Sequence, residues 1–175
     1  MRTLLLESLI RRPLTEKLPP VDEVTAELGR KIARTAYRRL GRSLSIREVD
    51  TGSCNACELE INALANPYYD IERFGLRFVA SPRHADVLLA TGPVTKNMRE
   101  ALERTYEAMP SPKWVVSAGD CALDGGCFAG SYAVVGGVSQ VVPVDLHIPG
   151  CPPSPLELLG GLLALLEAIN MPRRA

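Results

Sequence analysis

From residue 44 onward, short apolar runs of strand type alternate with stretches of helical periodicity. No other feature constrains the fold as strongly. Residues 44–49 (LSIREV), 76–80 (LRFVA), 86–92 (DVLLATG), 113–119 (KWVVSAG) and 143–150 (PVDLHIPG) read as strands. Between them the pattern predicts a helix from about Glu58 to Ala65 and an amphipathic helix over 95–109, with Met98, Leu102, Thr105 and Met109 near one face. Ser154 is placed to cap a last helix, from Pro155 to about Ile169. Such alternation implies an α/β fold, with a mainly parallel sheet and helices on both faces.

The first 42 residues read differently. Residues 1–12 suit a short amphipathic helix carrying Leu4, Leu5, Leu9 and Ile10, and Pro13, Pro19 and Pro20 make a stiff, extended connection after it. Asp22 is a good N-cap for a helix from Glu23 to about Leu40, and Gly41 is its stop. Val24, Leu28, Ile32, Ala36 and Leu40 form an apolar stripe, while Arg30, Lys31, Arg34, Arg38 and Arg39 fill the other faces. That basic side is either solvated or turned to a partner or membrane.

Residues 1–47 hold eleven Lys/Arg against five Asp/Glu, and the remainder nine against fifteen, so a net charge of zero hides an arm of +6 on a body of −6. An acidic body without nucleic-acid motifs argues against nucleic acid as a partner. The most apolar helical segment, 156–169, carries Glu157 and Glu167 and is too short to span a bilayer. The N-terminus has no signal-peptide pattern, so the expected place is the cytoplasm.

In parallel sheets, ligands bind beyond the carboxyl ends of the strands. The cysteines obey that rule. Cys54 and Cys57 come after the first strand, Cys121 after 113–119 and Cys151 after 143–150. Three chemistries compete for them. A redox dithiol needs only Cys54 and Cys57 and leaves the others unexplained. Structural zinc usually takes a second CxxC pair, which is absent here. An iron–sulfur cluster with four thiolates suits one CxxC plus two single cysteines, and the Cys151-Pro152 pair suits it too. Five cysteines compete for four positions. Cys121, directly after a strand, is the better third ligand, and Cys127 is expected to be a small buried apolar residue.

The stretches TGSCNACELEI, SPRHADVLLATGPVTKNM, MPSPKWVVSAGDC, GGCFAGSYAVVGGV and VPVDLHIPGCPPSPLELL, in unbroken order from about Arg42 to Ile169, resemble the small electron-transfer subunit of [NiFe] hydrogenases. The likeness is closest to the membrane-associated group 4 branch, which includes formate hydrogenlyase and Ech-type enzymes. The 20 kDa (B) subunit of complex I is in the same superfamily. It carries adjacent cysteines where this chain has Ala56-Cys57, and lacks the equivalent of Cys54, so the opening motif favours the hydrogenase side.

The resemblance implies a flavodoxin-like domain over residues 43–175, joined to a basic helical arm over 1–42. It implies one proximal [4Fe-4S] cluster on Cys54, Cys57, Cys121 and Cys151, with Cys127 left out. The implied partners are a [NiFe]-type large subunit, a ferredoxin-like iron–sulfur subunit and, peripherally, membrane-arm subunits, on the cytoplasmic side of the inner membrane. The chain would be a redox subunit without activity alone. Two alternatives remain: a B-type subunit of a complex I-like quinone or ferredoxin oxidoreductase that makes no hydrogen, and a zinc-stabilised α/β binding module.

Glu58 and Glu60 stand oddly beside an anionic cluster. Pointing about 200° apart on a helix, at most one of them faces it. Both suit the first turn of a helix as favourable charges. Glu60 aligns with a family glutamate and is the candidate proton relay. His84 and His147 are expected in surface or hydrogen-bonded roles. Arg83 matches a family arginine near the cluster, where it either tunes the site or forms an ordinary ion pair. GPVT (92–95) lacks the lysine and glycine spacing of a phosphate loop.

Overall fold

The computed structural model describes residues 22–169. The helix expected over 1–12 and the proline-rich connection after it lie outside the described residues. Helix α1 (Glu23–Leu40) leads into β1 (Leu44–Asp50), α2 (Ala56–Ala63), β2 (Leu76–Phe78), β3 (Val87–Thr91), β4 (Val94–Thr95) and α3 (Lys96–Ala108). Then come β5 (Trp114–Ala118), α4 (Asp120–Asp124), β6 (Val134–Gly136), β7 (Leu146–Ile148) and α5 (Pro155–Ala168).

Five strands form one parallel sheet in the order β2-β1-β3-β5-β7. This is the doubly wound order of flavodoxin-like folds, which reverses direction between β1 and β3. β4 and β6 pair antiparallel in a separate ribbon. The sequence pattern does not announce these two strands.

Side chains alternate across each strand, so the sheet feeds two cores. Leu44, Ile46, Leu89, Val116 and Ile148 point to the face covered by α1, α2 and α5, against Ile32, Ile61, Leu158 and Leu162. Val49, Leu88, Ala90 and Val115 point to the other, against Leu102 of α3 and Ala122 of α4. Each fully buried Leu or Ile contributes about 1.5–3 kcal/mol.

Helix α1 keeps its expected ends. The Asp22 carboxylate accepts from Val24 N at 3.4 Å, and Gly41 closes the helix in the left-handed region. Its buried face keeps most of the expected stripe: Ile32 and Ala36 lie in the core, and Leu28 and Leu40 pack against it. Thr25, Gly29, Ile32, Thr35 and Ala36 face inward, whereas Val24 is 64% exposed. A four-residue step overshoots one turn by about 40°, so Val24, at the start of the stripe, lies off the core. Lys31 Nζ meets Glu167 Oε1 at 3.1 Å, and Arg39 donates to the Glu167 carbonyl at 3.3 Å, tying α1 to α5.

At the amino ends of the strands, Asp86 is buried. It accepts from Ser45 N at 3.0 Å and from both terminal nitrogens of Arg42, at 2.8 and 2.5 Å.

Candidate metal centre

The loop after β1 is shaped by its own side chains. Asp50 Oδ1 accepts from the amides of Gly52 and Ser53, both at 2.7 Å, and Ser53 Oγ accepts from Asn55 N at 3.0 Å. Asn55 adopts φ 72°, and α2 starts directly after it. The helix therefore begins two residues before the expected Glu58, and Cys57 sits inside its first turn.

A brace lies behind this loop. Buried Thr51 offers its hydroxyl to the carbonyls of Thr91 (2.7 Å) and Gly92 (3.0 Å), and the Thr51 carbonyl accepts from Thr95 N (2.8 Å) and Thr95 Oγ1 (3.1 Å). A β-carbon at Gly92 would stand 2.6 Å from Ser53 Cα. GPVT is thus a prop for the cysteine loop. Its partners are distant in sequence, which is why motif reading missed it.

The loop after β5 meets the first one. Gly119 has φ 90°, and a β-carbon there would stand 2.6 Å from Cys57 Sγ and 3.5 Å from the Gly150 carbonyl. Only glycine both takes this conformation and leaves room for the sulfur. Asp120 N donates to Gly150 O and Gly150 N donates to Asp120 Oδ1, both at 2.8 Å, which latches the Cys121 loop to the Cys151 loop. Gly126, at φ 53°, folds the chain back so that a β-carbon would stand 2.6 Å from Cys121 Sγ.

The three loops that carry the four expected cysteines therefore meet at the carboxyl ends of the strands. Burial, then Glu58, then the thiols of Cys54, Cys121 and Cys151 push the Cys57 thiol up to about 12. Burial also raises the Cys121 thiol, helped by Cys127 and Cys151 and partly offset by the Cys127 backbone amide. Among the described residues, no three His, Cys, Asp or Glu side chains gather tightly enough to hold one metal ion. Four thiols divided over three adjoining loops, with glycines against the sulfurs of Cys57 and Cys121, are a donor set for a larger inorganic group rather than a single zinc.

Cys127 departs from expectation. It is exposed in the turn Gly126–Phe128, not buried. Its neighbours Phe128, Ala129 and Gly130 are exposed as well, so this part of the turn offers no core for a small side chain.

Of the two glutamates, Glu58 is the buried one, accepting from Thr91 Oγ1, with Oε2 unpartnered among the described residues. Glu60 is half-buried. Glu48 stands on the same sheet face, and burial followed by repulsion from Glu58 raises its carboxyl to about 7. The interplay of Glu48, Glu58 and Thr91 needs three separate elements, so spacing alone does not show it. His147 Nδ1 lies 2.9 Å from Ser117 Oγ, and His84 is exposed. Arg83 is exposed and makes no ion pair among the described residues.

Large apolar side chains stand uncovered on the cysteine-bearing segments: Leu59, Leu123, Phe128, Leu156 and, at 89% exposure, Tyr132. Exposed apolar side chains concentrated on one set of loops suit a protein contact.

Known proteins resemble this chain in sequence and fold. Residues 54–165 match the family described as NADH ubiquinone oxidoreductase, 20 Kd subunit. Formate hydrogenlyase subunit 7 of Escherichia coli (strain K12) is 46% identical over 150 residues, covering 84% of this chain and 56% of that protein. The chain thus spans little more than half the length of this curated relative. A chain of the membrane-bound sulfane sulfur reductase, an archaeal respiratory membrane complex, superposes with a TM-score of 0.65 at 34% identity, over 78% of this chain and 74% of that one. A chain of an NAD+-reducing [NiFe]-hydrogenase superposes with a TM-score of 0.56 at 18% identity, over 76% of this chain and 96% of that one. At that identity, the last shows a shared fold only.

Proposed function

The chain belongs to the family of the NADH ubiquinone oxidoreductase 20 kDa subunit, and from that premise we propose that it is an electron-transfer subunit holding one [4Fe-4S] cluster on Cys54, Cys57, Cys121 and Cys151. The packing of Cys57 Sγ onto the α-carbon of Gly119 carries this reading, because it joins the CxxC loop to the loops of Cys121 and Cys151. The donor set is four soft thiolates, as such a cluster requires. When bound, the cluster takes up and gives back single electrons.

The chain's own residues do the rest. Thr51, Gly92 and Thr95 fix the first pair of sulfurs, while the Asp120–Gly150 latch fixes the second. Gly119 and Gly126 let backbone approach the sulfurs, where peptide dipoles offset negative charge. Thiols raised in the metal-free chain bind as thiolates, so loading releases protons.

The exposed apolar rim docks a [NiFe]-type large subunit, and ferredoxin-like subunits take the electron onward. Membrane-arm subunits touch the chain peripherally, on the cytoplasmic face. No helix among the described residues is long and apolar enough to cross a membrane. Residues 43–175 are the cofactor domain, and residues 1–42 the basic arm, anchored by α1. Glu60 relays protons past the cluster. A Glu60→Gln variant with unchanged turnover and unchanged pH dependence of the cluster potential removes that role.

Anaerobic purification tests the centre. The expected result is about four irons and four acid-labile sulfides per chain, with a brown colour bleached by dithionite. Serine at any of the four cysteines removes them, and Cys127→Ser does not. One tightly bound zinc without sulfide overturns the proposal in favour of a zinc-stabilised module.

The likeness to the sulfane sulfur reductase favours a second reading, the same electron-transfer role in a complex that makes no hydrogen. Nickel content and hydrogen evolution by the purified complex separate the two.

A further inference from the structure

Away from the cysteine loops, α1 and the turn Ile71–Phe74 enclose an open groove of about 680 Å³, lined by Ala26, Arg30, Ala33, Arg34, Arg73 and Phe74. Half of the lining is arginine and none of it is acidic. Phe74 reaches the floor because α1 carries Gly29 there; any side chain at that position would collide with the ring. The Arg73 guanidinium stands 4.7 Å from the centre of that ring. Arg34 Nε donates to the Arg30 carbonyl at 3.3 Å, which lays its stem along the helix.

Asp70 meets Arg73 at 3.5 Å, and no carboxylate among the described residues pairs with Arg30 or Arg34. The groove thus offers guanidinium forks over an aromatic and methyl floor. Guanidinium forks match carboxylates in a bidentate manner, and the apolar floor calls for a hydrocarbon side chain beside them.

The rim decides what kind of anion enters. Glu23, Glu27, Asp70 and Glu72 stand on or beside the same two elements. A flat anionic bilayer pressed on this face would meet all four carboxylates, whereas a single protruding segment passes between them. A small inorganic anion would leave the floor uncovered.

We propose that this groove receives an acidic, partly apolar segment of another subunit of the complex. Its carboxylates pair with Arg30, Arg34 and Arg73, and an apolar side chain rests on Phe74. The interaction adds a second docking surface to the one around the cysteines, and it does not depend on the cofactor.

The test places a photo-crosslinking amino acid at Ala33 of the full chain within the purified complex, followed by mass spectrometry of the adduct. The expected result is a crosslink to an Asp/Glu-rich segment of another subunit. It weakens several-fold at high salt and in the R30E/R34E variant, whose iron content and thermal unfolding match the parent. Neither arginine is buried, so the substitutions leave the core intact. An adduct to lipid, to residues 1–21 of the same chain, or to no subunit overturns the proposal. A complex with full iron and no crosslink rejects the docking alone. One that crosslinks but holds no iron rejects the electron-transfer reading alone.

Discussion

The two ends of the sheet are built on opposite principles. At the amino ends, one buried carboxylate, Asp86, gathers the Ser45 amide and the Arg42 fork into a closed set of bonds. At the carboxyl ends, three loops hold thiols, glycines and exposed apolar groups, and most of the bonds between them use backbone groups. Parallel strands deliver every strand-to-helix loop to the same end. Chemistry therefore concentrates at one end, and the other is free to act purely as a lock.

Substitutions at the two ends should therefore fail in different ways. Gly119→Val has the largest expected effect: a side chain where Cys57 Sγ packs strips most of the iron, read by iron analysis, while far-UV circular dichroism keeps its shape. Asp86→Ala does the reverse. It leaves the Ser45 amide unpaired and lowers unfolding stability by about 2 kcal/mol in denaturant titration, with iron per chain unchanged. Loss of iron there would mean that the two ends are not separable.

Ser154→Ala removes one side of a capping box just after Cys151, and costs about 1 kcal/mol in the same titration. Glu48→Gln acts through pH. Glu48 is raised to about 7 from an ordinary 4.5, so between those values the folded chain keeps a proton that the unfolded chain has released. Stability then falls as pH rises through that window. The glutamine variant flattens this slope in the metal-free chain, and an unchanged slope would refute the assignment. Tyr132→Ala changes stability by less than about 0.5 kcal/mol and leaves iron intact. It weakens only the retention of the partner subunit on copurification.

The five main strands and helices α1, α2, α3 and α5 were legible because their segments show an apolar run or a helical period, whereas the five-residue α4 was not. The meeting of the loops that carry Cys54, Cys57, Cys121 and Cys151 was legible because strand ends set where loops emerge. Properties that depend on tertiary neighbours were not. Glu58 is buried because Thr91 on β3 lies beneath it, and Thr51 braces the loop through carbonyls about forty residues away in the chain. The exposure of Val24 on α1 depended on small angular drift. Cys127 is exposed because its glycine-rich turn never enters a core.

Strand β3 contributes no cysteine, yet it lies between β1, which delivers Cys54 and Cys57, and β5, which delivers Cys121, while β7 with Cys151 is the immediate neighbour of β5. With strands about 4.8 Å apart, β3 works as a fixed gauge block. It sets the strand of the first two sulfurs roughly two strand widths, about 10 Å, from the strand that carries the third. A silent strand thus sets the calibre of the centre.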